Sequence, residues 1–427
     1  MIKTARNKDF SPFNVRMIFI LEIAFIIFVL SCKKDDDQNN NPVIEPKYTM
    51  TQTLSDEAQQ NTIAFDALGF MTGCLGSQTF LPPGKVADYS GFQYLRDNDP
   101  TNLGHNTSFV TIIAFNVLNI LNDDQIQVFI DGANAQVDMI NDYAYKRYPL
   151  CKAFRRLIDG DLPPGTTGLD EEAVKEFSAS LYKIDGQISY RRAEIFGQVI
   201  GSLSDQQVDK LDALKELNGI GNWDSTLTDP LKDLHLSQDV NIAVMTYASE
   251  IYAWYAGSVE ADVYFCPERQ GTYFGSFYLK DWPAMGNPNY TINEQLTATA
   301  GQDFLKILTQ EQSDNITGLV GLENDPLNAL VGLRENVSME LRKFLEGSAA
   351  DSSTVYSLSE DYGRYDGEIV YLFATYFSQV YQSLGQEQRN QLETLADNLG
   401  YIDPEGGFLY SNPIPMPAIE NTDFLFK

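Results

Sequence analysis

The sequence predicts an all-α fold: a duplicated helical bundle with two similar halves, each carrying a short aromatic and glycine-rich segment that is β-like or a loop. Three observations predict this fold. Four short stretches have the spacing of a helix start, the chain repeats itself over most of its length, and an apolar fraction of 43% is ample for a hydrophobic core.

The four helix starts share one order: a leucine, a small N-cap residue, two further residues and a glutamine. They are Leu121–Gln125, Leu203–Gln207, Leu308–Gln312 and Leu384–Gln388. In this capping-box spacing the N-cap side chain accepts a hydrogen bond from the third helical amide, and the glutamine reaches back to the N-cap backbone. Asn122, Ser204 and Thr309 suit this role. Gly385 can cap only with its backbone. Each stretch therefore predicts a corner between two helices.

The corners belong to a longer internal repeat. The segment Asp185–Tyr190 aligns with Asp366–Tyr371, and Tyr89–Asp97 aligns with Tyr273–Asp281. Matches held in order over such a length predict a duplicated module. The predicted organisation is a signal peptide at 1–31, a tether at 32–53, repeats at 54–219 and 236–400 joined by a linker at 220–235, and a proline-rich tail at 401–427 that packs on the bundle.

The N-terminal segment has the pattern of a targeting signal, with basic residues followed by the apolar run 17–30. Val29-Leu30-Ser31-Cys32 resembles a bacterial lipobox, and the acidic residues after it resemble those of Bacteroidetes surface lipoproteins. The resemblance implies that Cys32 is lipidated and anchors the protein to the outer membrane. Whether the protein lies on the periplasmic or the outer face stays open. An uncleaved signal anchor is the alternative.

Each half has a segment rich in glycine, proline and aromatic residues after its first predicted helix, at 73–108 and 257–299. Loops of this length in a compact domain tend to be functional. Aromatic rings beside a few polar groups suit stacking on sugars or other flat ligands, although the same rings can cover the end of a bundle as a satellite core. The predicted ligand-binding residues are Tyr89, Tyr94, Arg96, Tyr273, Tyr278, Lys280 and Trp282.

Basic residues are scarce but recur at matching positions of the two halves. These positions are Arg147, Arg155 and Arg156, aligned with Arg334, Arg342 and Lys343. Arg155 and Arg342 thus predict either a site for a carboxylate or sulfate or ion pairs within the protein. Arg191 and Arg192 fall on apolar spacing where the other half has Leu372 and Phe373. They predict either a structural ion pair, with Asp185 or Glu194, or a site specific to one half.

Cys74, Cys151 and Cys266 remain after the lipidation cysteine. A bridge between Cys74 and Cys266 and a set of three buried thiols both stay open, because the sequence contains no distances. The chain has two histidines and lacks zinc, triad, phosphate-loop and dinucleotide motifs. No catalytic residue or metal ligand is predicted, and the cofactor is unknown.

The balance of charge excludes one class of partner. A net charge of -29 and a pI near 4.3 repel phosphate backbones, which argues against nucleic acid. Leu308-Thr-Gln-Glu-Gln312 resembles the Leu-Thr-x-x-Gln motif of helical periplasmic proteins of the Spy and CpxP type, which implies binding of unfolded or stress-related client proteins.

The predicted function is a lipid-anchored cell-envelope binding protein. Its predicted partners are the membrane, through the lipid, and a small molecule, a glycan or an envelope protein. The alternative is an envelope enzyme or metal-binding protein that uses Asp, Glu, Tyr and Arg residues between the repeats.

Overall fold

Helices dominate the described part of the chain, which confirms the predicted all-α class. The computed structural model describes residues 54–72, 108–146, 148–215, 217, 222–256, 301–398, 407–408, 413–414 and 421–427, all within one unit, Lys47–Lys427. The helices are α1 Asp56–Thr72, α2 Ser108–Leu118, α3 Asp123–Lys146, α4 Tyr148–Asp159, α5 Glu171–Gly201, α6 Asp205–Lys215, α7 Gln238–Ala256, α8 Gln310–Thr317, α9 Leu319–Arg342, α10 Ser352–Ser383 and α11 Gln386–Asn398.

Three shorter features complete the described elements. Residues 301–305 are helical and precede the third corner. A two-residue strand β1, Gly407–Phe408, pairs antiparallel with β2, Pro413–Ile414. A 3₁₀ turn, Asp423–Leu425, lies close to the C-terminal residue.

The predicted capping boxes are confirmed. Asn122 Oδ1 accepts from the backbone N–H of Gln125 over 3.0 Å, and Gln125 Oε1 accepts from the N–H of Asn122 over 2.9 Å. At the fourth corner Gly385 caps with its backbone alone, its N–H donating to Gln388 Oε1 over 3.0 Å. The two remaining corners repeat the first pattern: Ser204 with Gln207, and Thr309 with Gln312. Short local signals therefore begin α3, α6, α8 and α11.

The helix breaks also follow local chemistry. Helix α4 begins at Tyr148, so Pro149 lies in its first turn, where a residue without a backbone N–H is tolerated. Gly160 after α4 and Gly347 after α9 have φ values of 74° and 72°, which glycine adopts without steric cost. Pro326 lies inside α9, and Gly318 separates α8 from α9.

The two longest described helices, α5 and α10, pack against each other in antiparallel directions. Each is capped by an aspartate, Asp170 or Asp351, whose side chain accepts from backbone amides of the first turn. A Cβ at Gly186 would lie 2.6 Å from Ser359 Cβ, and a Cβ at Gly367 would lie 2.9 Å from Ser178 Cβ. Glycine and serine thus allow α5 and α10 to approach closely at two positions that the sequence alignment matches.

The first helix of each predicted half packs against helices of the other half. Helix α1 contacts α8 to α11, and α7 contacts α2, α3 and α5. Phe70 on α1 meets Phe377 edge-on at 5.6 Å between ring centroids, whereas Tyr247 on α7 meets Phe129 at 6.1 Å. Helices therefore pack across the boundary between the two predicted repeats, 54–219 and 236–400.

The described end of the tail lies on the bundle. Leu425 and Phe426 are buried, and the backbone of Lys427 exchanges hydrogen bonds with Gly168 in the loop before α5. Arg156 on α4 donates to Asp423 over 2.7 Å and lies 5.0 Å from the Phe426 ring centroid. The C-terminal residues therefore tie the loop between α4 and α5 in place.

Candidate functional site

All seven predicted ligand-binding residues lie outside the described part of the chain. This holds for Tyr89, Tyr94, Arg96, Tyr273, Tyr278, Lys280 and Trp282, and for the cysteines Cys32, Cys74 and Cys266. The predicted strand-like stretch Gly271–Asp281 also lies outside it. The roles assigned to these residues stay predictions.

The most prominent polar feature of the described core is an ion pair between α5 and α7. Arg192 Nη1 lies 2.6 Å from Glu250 Oε2, and both side chains are 0% exposed. The Arg192 guanidinium also lies 5.1 Å from the centre of the Tyr247 ring, within range of a cation–π interaction. The pair joins a helix of the first predicted half to the first helix of the second.

Burial and the charge of Glu250 have opposite effects on the pKa of Arg192. Burial on its own would lower the pKa of Arg192, but attraction to Glu250 leaves that pKa raised above its ordinary value. Burial also raises the pKa of Tyr247 to about 12. Both groups therefore keep their protons near neutral pH, so neither is poised to exchange one during a reaction.

A chain of hydrogen bonds extends the pair into α3. The Tyr247 hydroxyl donates to Gln136 Oε1 over 2.7 Å, and Gln136 Nε2 donates to the carbonyl of Ile188 over 3.1 Å. Gln136 is itself buried. The network connects three helices through buried polar side chains, and contacts of this kind favour one unique arrangement of the core.

The other predicted half has apolar residues at the positions that the sequence alignment matches to this pair. Arg192 aligns with Phe373, and Glu250 aligns with Leu68. Both partners of the ion pair are thus replaced together, so neither half keeps one charge without the other. This joint replacement agrees with a structural ion pair, because a lone buried charge is strongly unfavourable.

The remaining predicted arginines have different surroundings. Arg191 is exposed and pairs with Glu194 on the same helix. Arg342 Nη2 donates to the Trp254 carbonyl over 3.3 Å, and its guanidinium lies 5.9 Å from the Trp254 ring centre. Trp254 is in the last turn of α7, where a cation also interacts favourably with the negative end of the helix dipole. Arg155 is partly buried on α4.

An open groove of about 410 Å³ lies along α11. Six of the eight lining residues carry amide, hydroxyl or carboxylate groups and two are aliphatic: Asp303, Ile307, Glu387, Asn390, Gln391, Thr394, Leu395 and Asn398. Asp303 is engaged by Lys306, and Thr394 donates to the carbonyl of Asn390. The groove can accept hydrogen bonds from a polar molecule.

The described residues contain neither a cluster of metal ligands nor a helix that could span a membrane. Within the ranges that the structure covers, no three His, Cys, Asp or Glu side chains come together as metal ligands would. No helix there is both long and apolar enough to cross a bilayer.

The comparisons with known proteins add no relative. No protein-family model, no curated protein and no solved structure matches the chain.

Glu250 is the residue that sequence reasoning missed. The partners expected for Arg192 were Asp185 and Glu194, which are close to it in sequence, whereas Glu250 lies on α7 beyond the linker. One signal was present: the alignment pairs Glu250 with Leu68, a charge facing an apolar residue, as it does at Arg192 and Phe373.

Proposed function

We propose that the chain is a lipid-anchored binding protein of the cell envelope whose ligand is held by the two aromatic segments, 73–108 and 257–299. The observation that carries the proposal is where these segments join the helices. The first follows α1, whose last turns bury Phe70 and Met71, and the second follows α7, whose last turns bury Trp254.

Such attachment suits a binding role. A loop that begins at a buried helix end starts from a fixed point, and loops on rigid scaffolds commonly carry binding residues. The α1 and α7 helices each pack into the opposite half, and the Arg192–Glu250 pair fixes α7 against α5. The scaffold therefore supplies two fixed starting points for segments with matching aromatic residues.

The anchor rests on the lipobox-like Val29-Leu30-Ser31-Cys32. Thioether attachment of lipid at Cys32 would place the helical scaffold beyond a flexible, Asp- and Asn-rich tether. The variant Cys32→Ala should move the protein from the membrane fraction to the aqueous fraction. Unchanged fractionation would contradict the anchor.

The ligand class favoured by the residues is a sugar or another flat, hydroxyl-bearing small molecule. Tyrosine and tryptophan rings stack on such ligands, and Arg96 and Lys280 offer hydrogen-bond donors beside them. A client protein is the other partner consistent with the Leu-Thr-x-x-Gln resemblance.

The test is a fluorescence titration of the full-length protein in detergent with a panel of neutral oligosaccharides. The double variant Tyr94→Ala, Tyr278→Ala should lose at least about tenfold in affinity while its far-ultraviolet circular dichroism stays unchanged. The partly exposed Tyr365 supplies the control, and Tyr365→Ala should bind as the wild type does. Equal binding by the double variant, or no binding of any oligosaccharide by the wild type, would contradict the proposal.

A further inference from the structure

Arg334 on α9 is a buried arginine, and two of its three guanidinium nitrogens make no hydrogen bond within the described part of the chain. Its side chain is 3% exposed, and within the described residues neither Nε nor Nη2 has a hydrogen-bond partner. It lies on the buried face of α9 that also carries Leu330, Val337 and Leu341.

Other arginines of the described structure are held differently. Arg192, equally buried, lies against Glu250 and the Tyr247 ring. Arg156 pairs with Asp161 and Asp423, and Arg342 donates to a backbone carbonyl. Arg334 departs from this pattern although the chain has 59 acidic residues against 30 basic ones.

A guanidinium keeps its positive charge in a protein because it does not lose its proton at accessible pH. Burying that charge without an anion is strongly unfavourable, and an arginine kept at such a place is therefore expected to have one. Glu323 shares the buried face of α9, but eleven residues of helix place it about 16 Å away along the axis. That distance is longer than the two side chains can bridge.

The two unpartnered nitrogens also have a defined geometry. Nε and Nη2 lie on one edge of the planar guanidinium, and their N–H bonds point in parallel. This edge grips both oxygens of a carboxylate, or two oxygens of a phosphate, in a bidentate pair. A buried edge of this kind selects a small planar or tetrahedral oxyanion over a bulky one.

We propose that Arg334 binds a small oxyanion, a carboxylate or a phosphate, through Nε and Nη2 in the core between α9 and its neighbours. The site belongs to the helical scaffold and is independent of the ligand at the aromatic segments. The bound anion accepts hydrogen bonds from these two nitrogens and thereby stabilises the packing of α9.

The test measures the melting temperature of the full-length protein against rising inorganic phosphate, and separately against rising succinate, at constant ionic strength. The wild type should show a saturable rise with at least one of them. A rise with phosphate alone assigns a phosphate site, and a rise with succinate alone assigns a carboxylate site. The absence of a rise with both anions would overturn the proposal.

Two variants locate the effect. Arg334→Gln should abolish the rise, whereas Arg364→Gln, which removes a more exposed arginine paired with Glu176, should retain it. A rise of equal size in Arg334→Gln would overturn the proposal. If Arg334→Gln does not fold, equilibrium dialysis of the wild type and of Arg334→Lys replaces it. Lysine keeps the charge but lacks the two-donor edge, so affinity should fall at least about tenfold; equal affinity would refute the bidentate site.

Discussion

Gln125 and Gln207, at two different helix corners, are hydrogen-bonded to each other: Gln207 Nε2 donates to Gln125 Oε1 over 2.7 Å. The same bond recurs between the two corners of the other predicted half, where Gln388 Nε2 donates to Gln312 Oε1 over 2.7 Å. Each glutamine thus caps its own helix with its oxygen and uses its nitrogen to join a second corner. One side chain performs a local and a long-range task at once.

The side-chain nitrogen of Gln207 is predicted to contribute to the free energy of unfolding, as its side-chain oxygen does. In Gln207→Glu the capping oxygen remains, but the bonds to Gln125 Oε1 and to the Ile120 carbonyl are lost and acceptors face one another. We expect a loss of about 1–3 kcal/mol in the free energy of unfolding, measured with urea. The exposed neighbour Gln206 is the control, and Gln206→Glu should change stability by less than about 0.5 kcal/mol. Equal losses in the two variants would contradict the cross-corner bond.

These corners show what sequence can predict and where it stops. The capping bond between Asn122 and Gln125 was predictable because it joins residues three apart through chemistry that does not depend on the rest of the fold. The bond between Gln125 and Gln207 was not, because it depends on how two hairpins approach in space. The partner of Arg192 was missed for the same reason: Glu250 lies on a helix that packs into the opposite half. The aromatic residues of the proposed ligand site remain predictions from sequence alone.

Breaking the buried ion pair one side at a time should be costly. Glu250→Leu leaves the Arg192 charge buried without its carboxylate, so we expect a loss of about 3–5 kcal/mol in unfolding free energy. The double variant Arg192→Phe, Glu250→Leu installs the residue types that the other half has at Phe373 and Leu68.

The double variant should recover most of that loss, because buried ion pairs can be replaced by apolar residues at little net cost. Urea denaturation of the wild type, both single variants and the double variant measures the four free energies. If the double variant loses the sum of the two single losses, the pair is not a self-contained structural unit.

The close packing of α5 and α10 predicts opposite effects for two glycine substitutions. A Cβ at Gly363 would lie 2.6 Å from Tyr182 Cβ and 2.7 Å from the Ser178 carbonyl oxygen. Gly363→Ala should therefore destabilise by roughly 1–3 kcal/mol. Gly332 on α9 has no atom within 4 Å of such a Cβ, so Gly332→Ala should stabilise by about 0.5–1 kcal/mol. Thermal unfolding would show the difference, and a shift in the same direction for both would exclude this packing.

Acid should weaken the turn between α9 and α10. The backbone N–H of Asp351 donates to Glu340 and, with Lys343 nearby, lowers the pKa of Glu340 below its ordinary value of 4.5. Because the folded pKa is the lower one, the carboxylate contributes stability above pH 4.5, and this contribution disappears as pH falls through the folded pKa. We expect Glu340→Gln to lose less stability than the wild type between about pH 6 and about pH 3 in urea titrations. The exposed Glu335 is the control, and a Glu335→Gln variant that shows the same reduction would rule out this assignment.

Two double-mutant cycles test most directly whether one helical module has been used twice. One cycle combines Gln125→Ala with Gln207→Ala, and the other combines Gln312→Ala with Gln388→Ala, with unfolding free energies measured in urea. We predict favourable coupling of about 0.5–3 kcal/mol in both cycles, equal within about 0.5 kcal/mol. Coupling in one half and none in the other would contradict the account.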